Sequence, residues 1–503
     1  MALLPMSRRQ CVVDRRVDAL ALLFGLAVLS FAAARTVLVP VTHDEAFTYL
    51  HWSTASWRAI FLFEGPERAN NHLLNTVLMK VSSALLGPRE AALRLPNLLA
   101  LASYLGSLWL LLRRHAPPAL ALAGLALASA NRHLLEIFSL ARGYGLCIGL
   151  LLPGLFLAAL SIEKTDGSRR EEWLALGLVS IAVLAQFIAL DVFVALATVL
   201  LVPHALRGRL DDPELSYGSR IGRRLVPLLV VSAALALSLA WILRRIASSG
   251  GFYTGGTTGL WHDVVENLVW LTLLPAPWLG QAQKPLLVLV AALLVFLFGS
   301  GARLIVGRPR NASERVALAF IAFLGLAVLS VKAQSVVLGL RYPTDRIATF
   351  FIPLFAVAVT LAAATAPPAT RKVATVLLGG VALLGTFHFV RVADTRRSAL
   401  WWFDADARHV VSDLADYARR EGRPRPLRVG SVSHCAPALN YMRVVDGLCW
   451  LDPVERLGTG RWDYDVCYVT RAEAADAERR GFTVFRRYSE TGNLLLLPPP
   501  RPR

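Results

Sequence analysis

The sequence predicts an all-α polytopic membrane protein that ends in a small α/β extracytoplasmic domain. Three observations carry this. Of 503 residues, 55% are hydrophobic, and the mean hydropathy is +0.51; a soluble domain holds roughly 45–50% apolar residues, in far shorter runs. Apolar stretches of bilayer-spanning length recur from Leu20 to Val390, and only helices or closed barrels satisfy their backbone in lipid. After Val390 the pattern turns to short strands and amphipathic helices.

The basic leader "MALLPMSRRQCVVDRR" precedes an apolar run. A signal peptide has the same outline, but the run is long and no small-x-small cleavage site precedes His43, so a retained first helix is expected. Spans are expected at Leu20–Val39, Leu93–Leu112, Pro118–Leu134, Gly145–Ser161, Trp173–Phe187, Leu190–Leu206, Leu225–Leu243, Leu286–Val306, Val316–Ser330, Ile347–Ala366 and Val373–Val390, about eleven in all. Alternate loops then collect the bases: Arg8, Arg9, Arg15 and Arg16; Arg113 and Arg114; Lys164, Arg169 and Arg170; Arg207 to Arg224; Arg303 to Arg315; Arg371 and Lys372. The positive-inside rule makes that side cytoplasmic. The chain is thus expected in the cell inner (plasma) membrane, with its N-terminus cytoplasmic and its C-terminal domain extracytoplasmic.

The segment "NNHLLNTVLMKVSSALLG" puts Leu73, Leu74, Val77, Leu78, Val81 and Leu85 on one helical face. One apolar face suits the interface better than the lipid core. It is therefore placed within a first external loop, 40–92. A second external loop, Ile246 to Lys284, opens with "ASSGGFYTGGTTGLW". That stretch lacks the Lys-Ser/Thr of a phosphate loop and reads as a linker or lid. Two domains follow: membrane residues 1–392 and an α/β domain over 393–503. Within the latter, "DADARHVVSDLADYARR" and "RAEAADAERR" read as helices, and "LRVGSV", "DVCYVT", "FTVFRRY" and "NLLLLP" as strands. Trp401 and Trp402 are expected to anchor the last span at the interface. Five cysteines show no metal spacing, and an external tail would permit one disulfide among Cys435, Cys449 and Cys467. The net charge of +18 is loop arginine rather than a nucleic-acid surface, because no basic helix with interleaved aromatics lies outside the membrane.

The polar groups gather on the external side. "VTHDEAFTY" sets His43, Asp44 and Glu45 where the first helix leaves the lipid. "EGPERANNH" adds Asn70, Asn71 and His72; "NRHLLEIFSLARGYG" adds Arg132, His133, Glu136, Arg142 and Tyr144; "VKAQSVVLGLRYPTDR" adds Lys332, Arg341, Asp345 and Arg346. Ionisable residues at helix ends facing a bundle interior are functional candidates. A carboxylate can deprotonate an alcohol or amine as it attacks an electrophilic carbon. Arginines can hold a leaving phosphate. A polyprenyl-phosphate sugar joins a lipid anchor to such a phosphate.

At these residues the sequence resembles a known family. "THDEAFTY", "NNHLLNTVLMKVSSALLGPREAALRLPNLLA", "ARGYGL" and "RYPTDRIATFFIPLF" look like the GT-C membrane glycosyltransferases, nearest to bacterial members related to protein O-mannosyltransferases and lipid A aminoarabinose transferases. The resemblance implies the GT-C fold, a lipid-phosphate-linked sugar donor and inverting transfer on the external face. It implies Asp44 as the base and Glu45 as a second acid. It places Arg142, Tyr144, Lys332, Arg341 and Arg346 around the donor phosphate. His43, Asn71 and His72 are candidate substrate contacts; the family's Pro after the loop His is Leu73 here. Some relatives use a divalent metal and others do not, so no metal is assigned. The partners implied are the lipid bilayer, the polyprenyl-phosphate sugar, and a glycan, glycolipid or protein acceptor of the envelope. The alternative is a transporter or flippase of lipid-linked glycans, which would place charges near the membrane midplane.

Overall fold

A computed structural model describes residues 8–164, 170–207, 217–248, 255–273, 283–422, 425–457 and 462–499. Among them, eight helices are long and apolar enough to cross a membrane: Asp14–Leu38, Glu90–His115, Gly143–Glu163, Leu229–Ala247, Gln283–Gly307, Ala312–Leu338, Asp345–Thr365 and Pro368–Val392. Each covers one expected span. The remaining three expected spans fall on shorter helices. Pro118–Leu134 is interrupted: one helix, Pro118–Ser129, stops, and Asn131 starts another, Arg132–Phe138, by accepting the Leu134 N–H at 3.0 Å. Trp173–Phe187 becomes the 16-residue helix Arg170–Ala185, and Leu190–Leu206 becomes the 19-residue helix Ala189–Arg207. The Gly-rich start of the second external loop, 249–254, lies outside the described residues.

The amphipathic segment is a 14-residue helix, Leu73–Leu86. It buries Leu73, Asn75, Thr76, Met79 and Ser82, and Lys80 donates to the carbonyls of Ser53 and Ala55 at 2.8 and 2.7 Å. A long positive side chain thereby satisfies backbone acceptors of the preceding loop, which fixes the loop against the helix.

The tail holds a five-stranded mixed sheet: β1 (Val429–Ser431), β2 (Glu455–Arg456), β3 (Val466–Val469), β4 (Thr483–Arg487) and β5 (Leu494–Leu497), in the order β2-β1-β3-β5-β4. β1 runs parallel to β2 and β3; β5 is antiparallel to β3 and β4. Four strands and the helices Ala407–Glu421 and Arg471–Arg479 match the sequence expectation. The helix Ala436–Val445 and the two-residue β2 do not: Ala436–Val445 starts at a Cys-Ala-Pro step, and β2 is too short to show a period. Cys435, Cys449 and Cys467 are all free, so the anticipated disulfide is absent among the described residues.

The tail docks on the first external loop. Helix Ala436–Val445 packs against helix His43–Thr48, with the Tyr49 and Tyr441 rings edge to face at 5.3 Å. Arg89 pairs with Asp446 at 2.7 Å and Arg408 with Glu90 at 3.0 Å. These exposed pairs add only about 0–1 kcal/mol each; the buried apolar cluster shared by Val41, Ala46, Met79, Leu93, Leu439 and Tyr441 carries the contact.

Candidate functional site beyond the end of the first helix

The acid pair stands on the short helix His43–Thr48, and its two carboxylates diverge because successive helical side chains point ~100° apart. Glu45 turns inward and is 1% exposed. Its Oε2 accepts the Thr42 N–H at 3.0 Å and the Thr42 hydroxyl at 2.9 Å, closing a capping box. Its Oε1 accepts the Ala141 N–H at 2.6 Å. Arg94, fully buried, clamps it with Nε at 2.8 Å from Oε1 and Nη2 at 2.6 Å from Oε2. The other Arg94 donors reach the carbonyls of Val39 at 2.7 Å, Pro40 at 2.9 Å and Thr36 at 3.1 Å, where the first helix ends. Burial alone would raise the Glu45 pKa, but Arg94 and these N–H donors hold it below the ordinary glutamate value. Every oxygen of Glu45 is thus engaged, and its hydrogen bonds brace the His43–Thr48 helix against the end of the first helix.

Asp44 turns toward two cations. Its Oδ2 lies 3.1 Å from Arg142 Nη2 and 3.7 Å from Arg346 Nη2. These are ion pairs without hydrogen-bond alignment: Oδ2 is buried and accepts no hydrogen bond from the described residues. Burial would raise the Asp44 pKa; Arg142, then Arg346, overcompensate and keep it below the ordinary aspartate value. The carboxylate is therefore ionised at neutral pH and retains an open lone pair.

Each arginine is itself held. Arg142, 3% exposed, donates Nη1 to Asn70 Oδ1 at 2.6 Å and to Thr48 Oγ1 at 3.3 Å. Arg346 donates Nε to the Tyr144 hydroxyl at 3.2 Å and lies over two rings, 5.9 Å from the Tyr144 centroid and 5.2 Å from that of Trp401. Cation–π contacts of this kind are worth about 1–2 kcal/mol when desolvated. The preceding residue, Asp345, has φ 50°, left-handed for a residue with a Cβ. Asn267 from the second external loop supports that turn: its Oδ1 accepts the Asp345 N–H at 2.8 Å and its Nδ2 donates to Asp345 Oδ1 at 3.2 Å.

His72 caps the Leu73–Leu86 helix and packs edge-on to Tyr144 at 5.4 Å. Burial, reinforced by the Arg142 charge, pushes its pKa well below the ordinary value despite Asp44 and a Gln186 hydrogen bond, so it is neutral. Asn71 is buried and donates to the carbonyl of Ile60, in the short helix Trp57–Leu62, at 3.0 Å. Lys332 and Arg341 are exposed and are not brought to Asp44; Lys332 donates to the Tyr342 hydroxyl at 2.8 Å. Of the five residues expected around the donor phosphate, the structure gathers Arg142, Tyr144 and Arg346.

Two groups escaped the sequence expectation. Trp401 is 4% exposed, lies under Arg346 and is no interface anchor, since the last long helix already ends at Val392. Asp404, from the short turn Trp402–Asp404, accepts the His43 N–H on Oδ2 at 2.6 Å. Both belong to the link after the last span. That link is gripped by buried Glu136, which accepts from the Ser398 hydroxyl, from the Ala399 N–H at 3.0 Å and from the Leu400 N–H at 3.1 Å. Linear sequence carried no signal for these pairings, which join residues more than two hundred positions apart. Among the described residues no three His, Cys, Asp or Glu side chains gather as a metal site.

Eight long apolar helices followed by a small mixed sheet make up the GT-C fold of membrane glycosyltransferases. Among solved structures the chain is similar to ArnT from Cupriavidus metallidurans in the apo state, at TM-score 0.53 and 13% identity over 95% of this chain and 98% of that one. The same ArnT bound to undecaprenyl phosphate matches at TM-score 0.48 and 12% identity, over 95% and 97%. The arabinosyltransferase EmbB from Mycobacterium smegmatis matches at 0.42 and 15%, over 89% of this chain and 44% of that one. No family model matches the sequence, and no curated protein matches it significantly.

Proposed function

We propose that this chain transfers a sugar from a polyprenyl-phosphate-linked donor to an envelope acceptor on the extracytoplasmic face, with Asp44 as general base. The observation that carries the proposal is the Asp44 Oδ2 atom: ionised, buried, facing two fixed guanidiniums and free of aligned donors. An acceptor hydroxyl donating to Oδ2 would gain nucleophilicity as its oxygen attacks the anomeric carbon. The bond from that carbon to the phosphate oxygen breaks, and the pair stays on the phosphate. Arg142 and Arg346 stabilise the charge that grows there, a task for preorganised cations in a water-poor site. A single displacement inverts the anomeric configuration.

The same arginines restrain the base before the donor arrives. Once a donor phosphate sets its own negative charge beside these arginines, Asp44 loses part of its charge compensation and becomes a stronger base. Donor binding thus activates the carboxylate next to it. A carrier of lipid-linked glycans tends to hold charges near the membrane midplane; Asp191, in the first turn of helix Ala189–Arg207, accepts from Ser330 at 2.6 Å and from the Gln334 amide.

The test is transfer from a panel of radiolabelled undecaprenyl-phosphate sugars to membranes of a deletion strain. Asp44→Asn is expected to lower the rate about 10²- to 10⁴-fold. Full transfer by Asp44→Asn would remove the base, and no transfer by wild type with any donor would remove the enzyme.

A further inference from the structure

We propose that Asp404, carried by the link after the last span, is a positioning residue for Asp44: its Oδ2 fixes the first turn of the helix that bears the base. The inference rests on the function proposed above. Its geometric basis is the 2.6 Å bond from the His43 N–H to Asp404 Oδ2. The first N–H groups of a helix have no partner within it. Thr42 and Glu45 close the capping box on the opposite side of this turn, and Asp404 takes the His43 donor from the tail side. His43 is bound a second time, its Nδ1 lying 2.8 Å from the His434 carbonyl oxygen. Backbone and ring of the residue preceding Asp44 are therefore both held by the tail.

The carboxyl has little else to do. Asp404 is 3% exposed, and its Oδ1 is buried without a hydrogen-bond partner among the described residues. An ionised carboxylate left half-satisfied in that setting is penalised more heavily than a neutral carboxyl. Burial raises its pKa well above the ordinary value, and the nearby Asp44 and Glu45 charges push the same way against the His43 N–H. The neutral form keeps the hydrogen bond without adding a third negative charge beside the base. The link that delivers Asp404 also delivers Trp401 beneath Arg346 and is anchored by Glu136. One segment thus sets base and donor cation relative to each other.

The experiment compares Asp404→Ala and Asp404→Asn in the full-length protein, reading kcat for transfer and the affinity for undecaprenyl phosphate. Displacing a reacting group by about 1 Å can cost about 100-fold in rate. Asp404→Ala is expected to lower kcat by roughly that factor and to leave undecaprenyl phosphate affinity within about twofold, because the arginines remain. Asp404→Asn keeps an oxygen for the His43 N–H and is expected to restore kcat to near wild type, with the acid limb of the pH profile unmoved. Asn as impaired as Ala, wild-type kcat in Ala, or phosphate affinity falling with kcat would each overturn the inference. If Asp404→Ala fails to fold, the Asn variant decides alone: an acid limb moved to lower pH would mean that an ionised group had been removed. Asp44→Asn run in parallel separates the two proposals, since its retained activity removes the base itself and not only its support.

Discussion

Replacing Glu45 by Gln is expected to damage stability far more than chemistry, although Glu45 adjoins the proposed base. The pair Glu45–Arg94 is buried at 1% and 0% exposure, with two contacts of 2.6 and 2.8 Å. Removing one partner of a buried pair leaves an uncompensated charge and costs about 3–5 kcal/mol. The Gln amide would also turn an N–H toward the Arg94 donors, so one of the two contacts becomes repulsive. Against a total stability of about 5–15 kcal/mol this is a large fraction. At roughly 2 °C per kcal/mol for a large chain, the melting temperature in detergent should fall by about 6–10 °C. Asp44→Asn also takes a carboxylate from buried Arg142, so it too should lose stability, but by less than Glu45→Gln because no hydrogen bond goes with that ion pair. Scanning fluorimetry of both variants, beside a transfer assay, reads the two effects separately. Acid adds a second arm. Because the folded Glu45 pKa is held below its ordinary value of 4.5, its contribution is complete above that value and is lost as pH falls through the lower folded one. Glu45→Gln should flatten that part of the stability curve. Transfer abolished with the melting temperature unchanged would show that Glu45 is a reacting acid and that the brace is wrongly assigned.

Arg346→Lys keeps a charge but loses the planar stack between Tyr144 and Trp401; undecaprenyl phosphate should bind about tenfold more weakly, measured by titration. Asn267→Ala frees the left-handed turn at Asp345, so Arg346 should drift and kcat fall about 10-fold while the melting temperature drops by no more than that of a lost loop hydrogen bond. His72 is neutral when folded but takes a proton near pH 6.5 when unfolded, so wild-type stability should decline as pH falls through 6.5. His72→Gln should remove that slope, which chemical denaturation at pH 7.5 and pH 5.5 would detect.

Much of the architecture was legible because hydropathy and loop charge are local properties. The apolar runs at Leu20–Val39 and Leu286–Val306 announce their helices by length alone. The Leu73–Leu86 helix was identifiable as one-faced, and four strands of the tail by their apolar runs. The interruption at Asn131 was less visible, since Asn inside an apolar run reads equally as a polar point in a span or as an N-cap. At the site, Asp44, Arg142 and Arg346 were found through residue type at helix ends. The contrast between Asp44 and Glu45 could not be, because it depends on Arg94, whose place at the C-terminal end of the first helix is a tertiary fact. Lys332 and Arg341 share the chemistry of Arg346 but are exposed, Lys332 near the end of helix Ala312–Leu338 and Arg341 in the loop that follows it. Asp404 and Trp401 lay in what looked like a membrane exit, and their pairing needed the tail to fold back.

Arg94 has a consequence for depth. The first helix finishes without a glycine, and a single guanidinium collects its closing carbonyls together with the Glu45 carboxylate. A lysine, with three donors on one nitrogen, could not span that set. The level at which the lipid-embedded rod stops and the level of Asp44 are therefore tied to one side chain. A change in the tilt of that rod would move Asp44 together with the helix end rather than one past the other.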